Sequence, residues 1–122
     1  MDLNQKRYSR QILFKHIGVE GQEQIGKCHV LIIGMGALGT HLAEGLVRAG
    51  VGQLTIVDRD YIEFSNLQRQ TLFTESDACE ALPKVIAAQN ALQRIRSDIN
   101  LHAFIEHVNY HFLENHAKEV DL

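Results

Sequence analysis

The feature that most constrains the fold is the run VLIIGMGALGTHLAEGL, residues 30–46. It begins as a continuous aliphatic and β-branched run, which is typical of a strand covered on both faces. A turn with glycines at 34, 36 and 39 follows, and apolar residues then recur at helical spacing as far as Ala49-Gly50, a natural helix end. The run therefore predicts a strand, a glycine turn and a helix, the usual opening of a nucleotide-binding fold.

The rest of the chain continues this alternation of strands and helices. The patterns predict helices over 4–16, 21–27, from Pro83 to Ile95 and 111–118, and strands over 53–58, 101–108 and from Val120 onward. Such alternation implies a parallel sheet with right-handed crossovers. We therefore expect an α/β, Rossmann-like sheet with helices on both faces, preceded by N-terminal helices.

The predicted sheet is incomplete, with about three strands and the start of a fourth, whereas a complete dinucleotide fold has about six. We expect the chain to be the N-terminal portion of a larger protein. Its predicted parts are an N-terminal helical segment, 1–27, and the first part of a Rossmann-like ATP-binding domain, 28–122.

Composition excludes several classes of function. With 45% apolar residues, 22% charged residues and a net charge of -3 in no block of like charges, nothing indicates a nucleic-acid or membrane-surface partner. The apolar runs are too short to span a bilayer, and the first residues have no signal-peptide core. Cys28 and Cys79 lie far apart without a CxxC pair, which argues against a disulfide framework or a cysteine-built zinc site. We expect a cytoplasmic protein.

The glycine turn has a generic physical interpretation. Gly34 permits the sharp exit from the strand, Gly36 lets backbone N–H groups approach a phosphate, and Gly39 lets the helix pack closely. Asp58 follows at the end of the second predicted strand, where a carboxylate accepts hydrogen bonds from ribose hydroxyls. This pattern predicts a nucleotide site but does not distinguish NAD from FAD or ATP. Its alternative is that the glycines serve only a tight turn.

The loop after this aspartate, DRDYIEFSNLQRQTLF, discriminates between nucleotides. Asn66, Arg69 and Gln70 cluster beyond the carboxyl end of the strand, and Lys84 follows at the second position of the next predicted helix. Such groups suit a triphosphate and the charge that develops during transfer at its α-phosphate. A lysine at a helix N-terminus is unfavourable unless an anion is near. The alternative is that Arg69 and Lys84 are solvated surface charges.

Four segments together resemble one family: RYSRQ (7–11), GQEQI (21–25), residues 30–70 and PKVIAAQNALQRI (83–95). They resemble the ThiF/MoeB/HesA family, bacterial relatives of ubiquitin-activating enzymes. SNLQRQ followed by PKV is more specific than the glycine pattern alone. The resemblance implies adenylyl transfer. Enzymes of this family use ATP and magnesium to adenylate the C-terminal glycine of a ubiquitin-like sulfur carrier that ends in Gly-Gly.

The resemblance also assigns residues. The phosphates and ribose of ATP would be held by Gly34, Gly36, Gly39 and Asp58, with Asp60 assigned to the same site or else capping the turn. The residues that would position the triphosphate and stabilise the attack on the α-phosphorus are Asn66, Arg69, Gln70 and Lys84. Arg10 would act as an arginine finger that reaches the neighbouring subunit's site, which implies a homodimer; from the residues alone it is a basic residue on an exposed helix.

The sequence departs from the family at its end. It stops before the family's DxxDN turn, whose last aspartate holds magnesium, and before the zinc-binding CxxC motifs and any catalytic cysteine. We expect no metal ligand in this chain, from its histidines or otherwise, and no catalytic role for Cys79. Two alternatives stay open, an NAD-binding oxidoreductase fragment and a non-catalytic dimerisation or binding fragment. The sulfur carrier, of thiamin, molybdopterin or another pathway, is not identified.

Overall fold

The computed structural model of the chain describes residues 2–122 and is organised around one parallel sheet. Its strands are β1 (His29–Ile33), β2 (Gln53–Val57) and β3 (Asn100–Phe104), in the order β1-β2-β3 and with His29, Gln53 and Asn100 in register. The helices are α1 (Leu3–Arg7), α2 (Ser9–Ile12), α3 (Gly18–Lys27), α4 (Ala37–Ala49), α5 (Glu75–Cys79), α6 (Lys84–Ile95) and α7 (Tyr110–His116). Short 3₁₀ turns lie at Phe64–Asn66 and Ala117–Glu119. The Rossmann-like α/β prediction is confirmed.

The core lies between one face of the sheet and helices α4 and α6. Strand residues alternate between faces, and the fully or nearly fully buried Ile32, Leu54 and Ile56 meet apolar residues of both helices, such as Val47 and Leu92. Burying side chains of this size stabilises the fold by roughly 1.5–3 kcal/mol each. The predicted strand, glycine turn and helix are therefore confirmed as β1, the turn and α4.

The other face of the sheet is covered by α7 and the residues after it. Phe104 packs edge-on against Phe112 with ring centroids 5.8 Å apart. His29 lies between Thr55, whose hydroxyl oxygen is 2.7 Å from its Nε2, and the Glu119 carbonyl, 3.0 Å from its Nδ1. This cover is partial because Ile33, at the end of β1, is 55% exposed. The prediction of a strand covered on both faces is therefore wrong at Ile33.

Several predicted elements differ in extent, among them the helices predicted over 21–27 and 111–118, which are Gly18–Lys27 and Tyr110–His116. The helix predicted over 4–16 is divided at Tyr8 and ends at Ile12, because the buried Tyr8 ring packs against Gly50 and fixes a bend. The strand predicted over 101–108 ends at Phe104, since its partner β2 ends in register with it. The fourth strand is indicated by two backbone hydrogen bonds only, from Asp121 to the His29 carbonyl and from Leu31 to the Leu122 carbonyl.

The amino-terminal helices are attached through the C-terminal end of α4. Gly50 closes this helix in the left-handed region, at φ +105°. Gln11 and Gln22 both donate to the Ala49 carbonyl, at 2.9 and 3.1 Å. The guanidinium of Arg96, from beyond α6, donates to the carbonyls of Val47 and Val51. Of the helices described in residues 2–122, none is long and apolar enough to cross a bilayer.

Candidate functional site

The glycine turn between β1 and α4 is held close to the strand. Gly34 adopts φ +94°, a conformation that side chains rarely adopt, and its N–H donates to the Val57 carbonyl at 2.8 Å. At Gly39 an added Cβ would lie 1.8 Å from the Gly34 carbonyl oxygen, so the helix approaches the turn more closely than any side chain permits. The fold itself therefore requires glycine at both positions.

At position 36, no contact within the protein requires glycine. Its backbone is extended, at φ -92° and ψ -151°, and an added Cβ would meet only the Gln70 amide nitrogen, at 3.9 Å. Gly36 is the N-cap of α4, and no side chain caps the N–H groups of the first helical turn. A helix start with open N–H groups and no side chain at its cap suits the close approach of a phosphate.

Asp58 follows β2 directly and lies beside the glycine turn. Its Oδ2 accepts a hydrogen bond from the Met35 N–H and its Oδ1 one from the Asp60 N–H, both at 2.8 Å. Each carboxylate oxygen retains a second lone pair, so the group could still accept from a ribose hydroxyl. The structure thus brings the predicted carboxylate to the predicted turn.

Lys84 reaches this edge of the sheet through its backbone. The Lys84 N–H donates to the Asp60 carbonyl at 2.9 Å, and the Ile62 N–H donates to the Leu82 carbonyl at 2.9 Å, so the two segments run antiparallel beside each other. Lys84 is the first residue of α6 rather than the second, because Pro83 occupies the N-cap. The prediction that placed it second is wrong by one position.

The side chain of Lys84 is the unexpected feature of this edge. Lys84 is only 7% exposed, yet no hydrogen bond or ion pair formed within residues 2–122 involves its ammonium. Lysine is almost never fully buried unless it is paired. Most of the side chain is therefore buried, and an ammonium without a partner among these residues fits an anionic ligand.

Asn66 and Gln70 lie inside the loop, away from solvent. The Asn66 side-chain oxygen accepts from the Glu63 N–H at 2.9 Å, and its carbonyl accepts from the Gln70 N–H at 2.9 Å. Gln70 is 3% exposed, and its buried Oε1 meets no hydrogen-bond donor among residues 2–122. Its amide nitrogen lies 3.9 Å from the position of a Cβ added at Gly36, so Gln70 borders the glycine turn.

The two predicted arginines are both exposed. Arg69 donates to the Ser65 carbonyl at 3.0 Å, a local contact that leaves most of its guanidinium free. Arg10 lies on α2, which packs against α1 and α3, and it is not among the residues that line the cleft described next. Within the described part of the chain, Arg10 makes no ion pair with any acidic residue.

A cleft of about 260 Å³ opens at the carboxyl ends of the strands. Three of the predicted residues line it: Gly34, Asp58 and Asp60. The rest of its lining consists of residues that the sequence motifs did not indicate: Ile33, Val57, Arg59, Glu106, His107 and Val108. Their position at or after strand ends was the signal that could have identified them, because ligands bind outside the carboxyl ends of such strands.

A larger cavity of about 430 Å³ lies at the amino ends of the strands, between the N-terminal helices and residues such as Gly52 and Asp98. It is distant from the helix N-terminus of the glycine turn, and ligands of such sheets bind at the opposite edge. The larger cavity contains none of the predicted site residues, whereas the smaller cleft contains three of them. The predicted residues that line neither are Arg10, Gly36, Gly39, Asn66, Arg69, Gln70 and Lys84.

The described residues do not assemble a metal site. Within residues 2–122 no three histidine, cysteine, aspartate or glutamate side chains gather in a way that could hold a metal ion. Cys28 is half-buried at the start of β1, and Cys79 is exposed at the end of α5. The donor sets expected for magnesium or zinc are not provided by these residues.

Comparison with known proteins gives consistent matches. A family model described as the ThiF family matches residues 8–122. The chain is 55% identical over 95 residues to the sulfur carrier protein ThiS adenylyltransferase of Bacillus subtilis, covering 78% of this chain and 28% of the relative. It is 46% identical over 100 residues to the molybdopterin-synthase adenylyltransferase of Salmonella typhimurium, covering 82% of this chain and 39% of the relative.

A solved structure matches as well. The crystal structure of MccB of E. coli with ATP has a TM-score of 0.80 and 30% sequence identity, covering 90% of this chain and 34% of that one. The chain thus spans well under half the length of each of these three proteins.

Proposed function

The chain belongs to the ThiF family, and on that premise we propose that it is the ATP-binding part of an enzyme that adenylates the C-terminal glycine of a ubiquitin-like sulfur-carrier protein. The two curated relatives above are named adenylyltransferases, so the family is enzymatic. The observation that carries the proposal is Lys84, a buried lysine without an ion pair within residues 2–122, at the start of a helix beside the carboxyl end of β2.

Each residue of the site has a proposed role. The uncapped N–H groups at the start of α4, reached over Gly36, bind phosphate oxygens, and Asp58 accepts from the ribose. Lys84 supplies a positive charge at the triphosphate, and the exposed guanidinium of Arg69 a second one. Asn66 and Gln70, which lie in the loop that carries Arg69, help to position the triphosphate, and Asp60 fixes the backbone of Lys84.

The reaction proposed is an in-line displacement at the α-phosphorus. A carboxylate oxygen of the carrier's terminal glycine forms a bond to that phosphorus as its bond to the bridging oxygen of the leaving phosphates breaks, and pyrophosphate departs with the released charge. Lys84 and Arg69 stabilise that charge as it develops, which is the main protein contribution expected for phosphoryl chemistry. Magnesium, when bound to ATP, would neutralise phosphate charge; residues 2–122 offer it no ligand set.

A homodimer with Arg10 acting across it belongs to the same proposal. Arg10 is exposed and is followed closely by the exposed apolar residues Leu13 and Phe14, which favours a protein contact in this region. Sedimentation of the chain measures its mass, and ATP titration of Arg10→Ala against the control Lys6→Ala measures the contribution of Arg10. A monomer at all concentrations, or equal affinities of the two variants, would reject the role of Arg10.

Domain organisation stays a proposal with the same boundaries: an N-terminal helical segment over 1–27 and part of the nucleotide-binding domain over 28–122. Limited proteolysis of the chain with and without ATP tests this division. Cleavage restricted to the segment before residue 28, with 28–122 protected by ATP, supports it. Equal protection of both segments by ATP would contradict it.

The direct test of the function compares nucleotides. Titration of the chain with ATP and with NADH should show preferential binding of ATP, and Lys84→Met should weaken ATP binding by roughly tenfold or more. A clear preference for NADH would overturn the proposal in favour of an oxidoreductase, an alternative that the adenylyltransferase relatives do not favour. Lys118→Met is the matched control, since Lys118 is exposed and lies after α7.

The enzymatic step is tested by ATP–pyrophosphate exchange with a carrier protein that ends in Gly-Gly. We expect exchange in an enzyme that includes this region together with the magnesium-binding segment of the family. For residues 1–122 alone we expect ATP binding with little or no exchange, because the described residues assemble no magnesium ligands. Robust exchange by this chain would show that expectation to be wrong.

A further inference from the structure

The carboxylate of Asp58 is attached to two backbone segments at once. Its Oδ2 accepts from the Met35 N–H in the glycine turn, and its Oδ1 accepts from the Asp60 N–H in the loop after β2, each at 2.8 Å. Asp58 is itself fixed, because its N–H donates to the Phe104 carbonyl at 3.2 Å at the end of β3. The carboxylate therefore links the sheet to the turn, and its hydrogen bonds with the Met35 and Asp60 N–H groups are called the Asp58 brace below.

This brace acts on the backbone of a turn whose Met35 side chain is buried in the core. Gly34 is held by one backbone hydrogen bond to Val57, and its φ of +94° lies in a region that glycine enters and leaves easily. Met35 comes next, and within residues 2–122 its N–H donates only to the Asp58 carboxylate. A hydrogen bond to a carboxylate is roughly twice as strong as one between neutral groups.

We propose that Asp58 is a positioning residue for the glycine turn, which it holds in its phosphate-binding conformation before any nucleotide arrives. The effect on phosphate binding rests on the proposed function, whereas the effect on the turn does not. The consequence is specific. A ligand that has phosphates but no ribose, such as inorganic tripolyphosphate, should depend on Asp58 although it has no hydroxyl groups for a ribose-binding carboxylate to accept from.

If Asp58 only bound the ribose, electrostatics would predict the opposite effect on tripolyphosphate binding, so one titration distinguishes the two roles. If Asp58 served the ribose alone, removing its negative charge near a polyanion would strengthen tripolyphosphate binding. If Asp58 positions the turn, its removal weakens that binding despite the favourable change in charge. Glu80→Ala is the control for charge, since Glu80 is an exposed acidic residue just before α6 that does not line the cleft, and its carboxylate makes no hydrogen bond or ion pair within residues 2–122.

Two measurements test this role of Asp58, one on the chain without ligand and one with tripolyphosphate. Amide hydrogen exchange by NMR should show the Met35 N–H exchanging roughly tenfold faster or more in Asp58→Ala than in Glu80→Ala or the unaltered chain. Calorimetric titration with tripolyphosphate should show weaker binding by Asp58→Ala, several-fold or more, and equal or tighter binding by Glu80→Ala.

The outcomes separate the two proposals. Unchanged exchange at Met35 overturns the brace, whatever the ligands do. Faster exchange with undiminished tripolyphosphate binding overturns its link to phosphate binding. Failure of the unaltered chain to bind either ATP or tripolyphosphate overturns the proposed function and leaves the exchange result to decide the brace alone.

A second variant covers the case in which Asp58→Ala does not fold. Asp58→Asn keeps the size of the side chain but has one oxygen for two N–H donors, so its NH₂ group must face one of them. Exchange should then rise at Met35 or at Asp60. Retention of full protection at both amides would contradict the brace.

Discussion

The backbone N–H of Lys84 lies 2.9 Å from the carbonyl oxygen of Asp60, so the first residue of α6 is joined to the loop that leaves β2. Together with the hydrogen bond from the Ile62 N–H to the Leu82 carbonyl, this bond brings a lysine distant in sequence to the edge of the sheet where Asp58 meets the glycine turn. The side chain that follows is buried without an ion pair among residues 2–122. A substitution that removes the charge of Lys84 should therefore weaken ligand binding without lowering the stability of the unliganded chain.

Lys84→Met retains most of the length of the side chain and removes the charge. We expect the free energy of unfolding without ligand to stay the same or to rise by up to about 1 kcal/mol, because methionine keeps the buried apolar part of the side chain and removes an ammonium that has no protein partner within residues 2–122. ATP affinity should fall at the same time. Denaturant unfolding and calorimetric titration measure the two quantities. A loss of stability equal to the loss of binding energy would indicate a structural role instead.

The glycines at 36 and 39 should separate binding from folding. Gly39→Ala places a methyl group against the Gly34 carbonyl, so we expect destabilisation by about 3 kcal/mol or failure to fold. Gly36→Ala meets no protein atom closer than 3.9 Å and should fold with nearly unchanged stability. ATP binding by the folded Gly36→Ala chain should be weaker by roughly tenfold or more. Thermal unfolding and ATP titration of both variants check this, and ATP binding by Gly36→Ala at the original affinity would refute it.

Gln70→Met tests the buried amide beneath the turn. Since the Gln70 Oε1 meets no donor within residues 2–122, an apolar side chain of similar size should leave stability unchanged or raise it by about 1 kcal/mol. Reduced ATP affinity in this stable variant would indicate that the amide serves the nucleotide site. Unfolding by urea with and without ATP gives both values, and Gln68→Met, at an exposed position of the same loop, is the control.

Arg96→Met tests how the end of α6 is joined to the C-terminal end of α4. Its guanidinium is 3% exposed and donates to the carbonyls of Val47 and Val51 at 2.8 and 2.7 Å, so methionine would leave the Val51 carbonyl without its donor and the Val47 carbonyl with the Gly50 N–H alone. We expect a loss of about 3 kcal/mol in the free energy of unfolding. Arg94→Met, at an exposed position of α6, should change stability by less than about 0.5 kcal/mol. Equal effects of the two substitutions would contradict this role of Arg96.

Part of the site follows from the sequence by itself. The order of strand, glycine turn, helix and aspartate determines which segments meet, because a parallel sheet with right-handed crossovers brings the carboxyl ends of its strands to one edge. Gly34, Gly39 and Asp58 could therefore be assigned from their spacing, and Asn66, Arg69, Gln70 and Lys84 from the motifs around them. These features are local or periodic along the chain, so they can be recognised in the sequence without a three-dimensional structure.

The tertiary structure decided what those residues contact. Burial of Lys84 and Gln70, exposure of Leu38 and Leu42 on α4, the bend at Tyr8 and the attachment of Asp58 to Met35 all depend on contacts between segments far apart in the chain. Arg96 gave no signal in the sequence, since a buried arginine is recognised only by the carbonyls around it. Periodicity states which side chains share a face, and only packing determines whether that face is covered, by what, and with which hydrogen bonds.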